Sequence, residues 1–220
     1  MKNIIGGFFL FVLITVTADV QAQQRNNANQ FKPKFGVKGG YNIAKMTGST
    51  PSFKPDTKNG FMVAAFYSPS GSTGFGYRTE LVFSRQGFTY DSSGKNMNVK
   101  QDYIYLPQFT TFNIGKFFQI HAGVQLGLLL NAVKTKDSSG ARGVDIIDAY
   151  NKIDYGLAGG VEIYPVKGLI LGGRYNISLG NMYKRQQEQM NNPNPFPLPF
   201  NPDEVKGKNS VINIYAGLRF

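Results

Sequence analysis

An eight-stranded, antiparallel, up-and-down transmembrane β-barrel is the all-β fold that this sequence predicts, and three observations predict it. Apolar and polar residues alternate with period two in eight segments, the mark of strands with two unlike faces. The connections between those segments take turns between short and long, as a barrel with both chain ends at one rim requires. Beyond residue 22 no run of eighteen apolar residues exists, so a chain that enters a membrane must do so with strands.

At the N-terminus, Lys2 precedes an apolar run from Ile4 to Val16 and then Val20-Gln21-Ala22, which places small or branched residues where a signal peptidase inspects them. Residues 1–22 therefore read as a cleaved secretory signal peptide. Thirteen apolar residues at ~1.5 Å each fall short of a ~30 Å hydrocarbon core, which argues against a retained helical anchor. Residues 23–33 form a short N-terminal periplasmic segment and 34–220 the barrel, one domain for a chain of 220 residues. Without cysteine there is no disulfide framework, thiolate metal site, cysteine nucleophile or lipidated tether.

Strands are expected over 34–46, 59–68, 75–90, 100–113, 116–132, 152–164, 168–182 and 209–220. In the first, Phe35, Val37, Tyr41 and Ile43 oppose Lys38 and Asn42. In the third, Phe75, Tyr77, Leu81 and Phe83 oppose Arg78, Glu80, Ser84 and Gln86. The fifth is the most regular, with Phe118, Ile120, Ala122, Val124, Leu126, Leu128 and Leu130 against Gln119, His121, Gly123, Gln125 and Gly127. The sixth sets Ile153, Tyr155, Leu157, Val161 and Ile163 against Asp154, Gly156, Ala158, Gly160 and Glu162. The seventh sets Leu169, Leu171, Tyr175, Ile177 and Leu179 against Gly172, Arg174, Asn176, Ser178 and Gly180. In the eighth, Ile212, Ile214, Ala216, Leu218 and Phe220 oppose Asn213, Tyr215, Gly217 and Arg219. The second and fourth have no readable facing, since Tyr103, Tyr105 and Phe109 compete with Ile104, Leu106 and Phe112 and Pro107 interrupts.

The links at 69–74, 114–115 and 165–167 are short, and those at 47–58, 91–99, 133–151 and 183–208 long. Short links suit periplasmic turns and long ones external loops, which places both termini in the periplasm of a bacterial outer membrane. The same topology sorts the aromatics. Phe35, Tyr67, Phe75, Tyr77, Phe112, Phe117, Phe118, Tyr164 and Phe220 fall near the periplasmic rim, and Phe61, Tyr90, Tyr103, Tyr155 and Tyr183 near the outer one, as interfacial girdles do. Many of the 26 glycines fall on inward positions, where small residues relieve crowding in a narrow lumen filled by side chains.

The segments FGVKGGYN, FGYRTELVFSRQG, YIYLPQF with FNIG, YGLAGGVEIY and INIYAGLRF together resemble the PorT-like outer-membrane β-barrel family of Bacteroidota. The resemblance spans 33–220 and implies the fold, an OmpA/OmpX-like size and an outer-membrane location. It consists of strand-and-turn patterns, so it implies no catalytic residue. The family's name-giving member is a component of the type IX secretion system, which makes membership of a secretion or transport assembly an alternative reading. Ile212, Ile214, Ala216, Leu218 and Phe220 look like the C-terminal signal that the barrel-assembly machinery recognises during insertion.

The inward stripes carry Lys38, Arg78, Glu80, Asp154, Glu162, Arg174 and Arg219, charges of both signs that must pair when buried. They read as a lumen charge network that fills the barrel; a gated ion path lined by the same charges is the sharper alternative. A soluble exported lipocalin-like ligand binder would need an apolar interior, which those charges oppose. His121 is the single histidine, and no second nitrogen ligand or adjoining nucleophile supports a metal or catalytic role. No phosphate-cradling loop or nucleophile elbow occurs, so neither an enzyme nor a cofactor is expected. The formal charge of +11 is scattered rather than clustered, which favours outer-membrane lipid over nucleic acid as a partner. The last long connection holds five prolines around Phe196, Leu198 and Phe200, either a disordered loop or an extended recognition segment for an envelope protein. Asp-Ser-Ser-Gly at 91–94 and 137–140 is turn chemistry, and Asn176-Ile177-Ser178 inside a strand is a chance glycosylation pattern.

Overall fold

A computed structural model describes residues 33–47, 54–69, 74–92, 95–136, 143–184 and 207–220. The expected signal peptide and the segment with Phe196, Leu198 and Phe200 lie outside these residues. Nine strands follow in order: β1 Lys34–Thr47, β2 Asp56–Ser68, β3 Gly74–Ser92, β4 Lys95–Ile114, β5 Phe118–Lys136, β6 Val144–Asp145, β7 Ile153–Ile163, β8 Leu169–Ser178 and β9 Lys208–Arg219. Every pairing is antiparallel, each long strand pairs with its chain neighbours, and β1 pairs with β9 from Gly36↔Arg219 to Thr47↔Lys208. That last pairing closes eight strands into a ring, with the two-residue β6 added on the edge of β5. Closure removes the unpaired strand edges that lipid could not satisfy.

Alternation decides the faces. Val37, Val63, Leu81, Val124, Leu157 and Ile214 are exposed on the outside, while Lys38, Ala64, Arg78, Gln125 and Asn213 are buried inside. So continuous an apolar exterior is foreign to a soluble lipocalin-like protein and suits a lipid-facing wall. Short turns sit at the rim that holds both ends of the described barrel. There Gly115 and Gly168 take φ of 62° and 88°, values that a side chain disfavours.

The two strands without a readable facing are now assigned. Met62, Ala64 and Phe66 of β2 point inward, as do Tyr103, Tyr105, Phe109 and Thr111 of β4; Ile104, Leu106 and Phe112 point outward. The tyrosines win the inner face because their hydroxyls find polar partners there. Tyr105 donates to Asp154 Oδ2 at 2.8 Å and accepts from Gln86 Nε2 at 2.8 Å, bonds that lipid could not offer.

Four expectations need correction. The 91–99 link is not long, because β3 runs to Ser92 and β4 resumes at Lys95, paired down to Ser92↔Lys95. Phe88 and Tyr90 on β3 and Val99 on β4 carry the buried stripe onward. Tyr90, Tyr103, Tyr164 and Tyr183 belong to no girdle, since all four are buried. The 133–151 link has its own structure, β6 and the short 3-10 helix Ile147–Ala149, whereas β8 ends at Ser178 rather than 182.

Above the ring this buried stripe becomes a cap. Tyr150 and Tyr183 form a bridge with ring centroids 5.0 Å apart. Ile146, Ala149 and Met182 join them, and the Tyr183 hydroxyl reaches Met46 Sδ at 3.3 Å. Backbone bonds from Asn151 to Met182 and from Lys184 to Ala149 tie the flanking segments together. On β5, Leu130 is an extra residue, because Tyr103 pairs with Leu129 while Asp102 pairs with Asn131. The bulge shifts the facing by one residue, so that Ala132 points inward beneath the cap.

Candidate functional site

Five of the seven inward charges meet in one buried cluster. Lys38 comes from β1, Arg78 and Glu80 from β3, Glu162 from β7 and Arg174 from β8, so the cluster spans the lumen from wall to wall. Lys38 Nζ stands 2.5 Å from Glu80 Oε1 and 3.0 Å from Glu162 Oε1. Arg78 Nη1 donates to both oxygens of Glu162 at 2.8 Å, and Arg174 Nη1 to Glu80 Oε2 at 2.8 Å. Each carboxylate is thus held by more than one cation, as burial of charge demands.

Aromatic side chains complete the shell. The Tyr164 and Tyr215 hydroxyls donate to Glu162 at 2.8 and 3.0 Å. Lys38 and Arg78 lie over the Phe66 ring at 5.1 and 4.6 Å from its centroid, and Arg174 over Phe109 at 5.2 Å. These contacts lower the penalty of a cluster with three cations and two carboxylates. Glycine makes the room: a Cβ on Gly172 would stand 2.6 Å from the Tyr215 ring, and one on Gly217 would stand 2.8 Å from Lys38 Cγ.

Asp154 and Arg219 share the inward face but stand apart from the cluster. Asp154 is eight residues from Glu162 along β7, roughly 26 Å at ~3.3 Å per residue. It accepts from Tyr105 and from Ser178 Oγ at 2.7 Å instead. Arg219 sits at the rim, with its guanidinium 4.2 Å from the Tyr164 ring centroid.

An amide ladder continues the polar filling above the cluster. Asn176 Nδ2 donates to Asn213 Oδ1 at 2.5 Å, Asn213 Nδ2 to Asn42 Oδ1 at 2.6 Å, and Asn42 Nδ2 to Ser84 Oγ at 2.9 Å. Sequence alternation had marked all four as inward, but not that they form one chain across four strands. A cavity of about 20 Å³ lined by Arg174, Asn213 and Gln125 remains here, space for roughly one water.

His121 is buried, edge-on to Phe109 with centroids 5.0 Å apart, and neither ring nitrogen has a hydrogen-bond partner. A general base needs a group to act on and a metal needs further ligands. Among the described residues no three His, Cys, Asp or Glu side chains are grouped to hold a metal ion. The arrangement is a plug, a set of side chains that occupies the lumen and is tied together by ion pairs and hydrogen bonds, with Arg78 Nε and the His121 nitrogens left without a partner among the described residues. Ile212, Ile214, Leu218 and Phe220 form an exposed outer stripe on and just beyond β9, and Asn176 is buried within β8 rather than open to glycosylation.

The model of the outer membrane protein beta-barrel domain matches residues 21–184. The chain belongs to that family. Among solved structures, Neisserial surface protein A is similar at 16% identity and a TM-score of 0.51, with 84% of this chain and 97% of that one covered. Ail of Yersinia pestis is similar at 14% identity and a TM-score of 0.49, over 86% of this chain and 99% of that one. OprG from Pseudomonas aeruginosa is similar at 10% identity and a TM-score of 0.43, over 87% and 97%. No curated protein matches in sequence. The likeness to the Neisserial protein agrees with the fold, and the family places this barrel in the outer membrane.

Proposed function

We propose that this protein is a non-conducting, non-enzymatic outer-membrane barrel whose rigid wall displays the connections of the capped rim as an interaction surface. The observation that carries this reading is the plug. Lys38, Arg78, Glu80, Glu162 and Arg174 bridge the lumen, and the polar ladder above them leaves a void of about 20 Å³. An eight-stranded wall encloses no more than its own side chains, so a through-path would need this cluster to dissolve. Rigid strands that carry variable connections are the usual arrangement for recognition by surface loops.

Short turns at the rim of the termini support a periplasmic location for both chain ends, and the apolar run before Ala22 supports export by a signal peptide. The quoted strand segments support placement among PorT-like barrels of Bacteroidota. Partners are then outer-membrane lipid around the wall, the assembly machinery during insertion and an envelope protein at the capped rim. Planar-bilayer recording tests the plug: the purified barrel is expected to stay electrically silent. Reproducible unitary conductance steps would overturn the reading.

A further inference from the structure

The rim of the short turns holds a cavity that the plug does not use. It measures about 310 Å³ and is lined by Lys34 at the start of β1, Lys116 and Phe117 in the β4–β5 turn, Lys167 in the β7–β8 turn, and Tyr164 and Arg219. Four cations converge from four places in the chain. Among the described residues, no carboxylate lies within ion-pairing distance of any of them.

Such convergence is unfavourable without a counter-charge, because like charges around one concavity repel through its low-dielectric walls. The floor adds to the field. Tyr164 donates to Glu162 of the plug, where three cations outnumber two carboxylates. Arg219 is held in place by its stacking 4.2 Å from the Tyr164 ring centroid, so its guanidinium presents donors in a set orientation. The volume lies at the lower end of small-molecule sites, ~300–1,000 Å³. Phe117 and Val166, both exposed, add apolar surface beside the charge.

We propose that this mouth is a binding site for a phosphate-bearing anion, with Lys34, Lys116, Lys167 and Arg219 as its ligands. The phosphate is that of an anionic phospholipid headgroup or of a soluble phosphate, two sources with one recognition chemistry.

Two titrations on the folded full-length mature protein test it. One adds inorganic phosphate to the protein in neutral detergent, followed by ³¹P line broadening. The other measures association of a fluorescent phosphatidylglycerol with the protein in phosphatidylcholine vesicles. Each cation near an anionic surface is worth about fivefold in affinity, so the double variant Lys116→Gln/Lys167→Gln should weaken binding about twenty-fivefold. Lys34→Gln/Arg219→Gln should do the same. Should the latter pair, on strands, fail to fold by heat-modifiable mobility, the pair in the turns decides. Saturable phosphate binding lost in the variants supports the site with a soluble ligand; phosphatidylglycerol association lost in the variants supports it with a lipid. Absence of both, or binding that the variants leave unchanged, overturns the proposal.

Discussion

Glu162→Gln is the most informative change to the plug. The native carboxylate accepts from Lys38, Arg78, Tyr164 and Tyr215, at 2.8 to 3.0 Å. The amide keeps the volume, offers one acceptor and turns two unwanted donors toward those four groups. It also leaves three buried cations facing Glu80 alone. Removal of one partner from a buried, hydrogen-bonded pair costs about 3–5 kcal/mol, and that range is the expected loss here. Lys38→Met is the control. It leaves Arg78 and Arg174 against two carboxylates, each still paired at 2.8 Å. The methionine stem still packs against Phe66 and Tyr215, so the expected loss is under about 2 kcal/mol. Urea titration of the folded fraction in phospholipid vesicles, scored by heat-modifiable mobility, measures both. A Lys38→Met loss equal to or larger than that of Glu162→Gln would refute the charge balance assigned to the cluster.

Three more predictions test the wall, the packing and the cap. Val124→Arg, on the lipid face opposite Leu157, should cost about 2–4 kcal/mol, whereas Ile163→Arg at the strand end should cost at most about 1 kcal/mol; equal losses in the same titration would contradict the depth assignment. Gly172→Ala drives a methyl into the Tyr215 ring and should destabilise by about 1–3 kcal/mol. Gly173→Ala, whose Cβ meets nothing nearer than 3.8 Å, should be close to neutral by thermal loss of mobility. Tyr183→Ala removes the ring against Tyr150 and should make Lys152 and Lys184 open to trypsin in vesicles while the barrel stays protected; unchanged digestion would show that the cap does not depend on that ring.

Facing was legible wherever one stripe was apolar and the other was not. On β5, Val124 against Gln125 could be read off directly, because lipid and lumen impose opposite demands on neighbouring residues. It failed on β4, where Tyr103 and Tyr105 are amphipathic and suit either face by composition. Their assignment rests on Asn209 and Asp154, partners on other strands that sequence spacing cannot bring into view. The lumen residues were legible by the same parity, yet their grouping was not. Depth along a strand depends on the register between strands, which places Lys38 opposite Gly217 and Glu162 opposite Gln119. Lacking that register, Asp154 and Arg219 were indistinguishable from the five residues that meet. The 91–99 segment misled for another reason: its polar residues look like a loop, although a hairpin that rises beyond the membrane needs no apolar outer face.

Register is also what explains the chemistry of the plug. A slip of one residue between β1 and either neighbour would turn Lys38 to lipid and Val37 to the lumen, and the two carboxylates would lose a shared cation. An apolar filling would discriminate far less, since leucine is at home on both sides of a wall with lipid outside. Ionic groups are at home only inside and only where a partner arrives from β3, β7 or β8. The cluster is thus poor value as raw stabilisation and effective as a specifier: of the registers in which eight strands can close, it tolerates the one that brings five charges together. On this view a quintuple variant with apolar residues at all five charged positions should still form a barrel, but with slipped or mixed registers, and site-directed cross-linking between β1 and β9 would detect them.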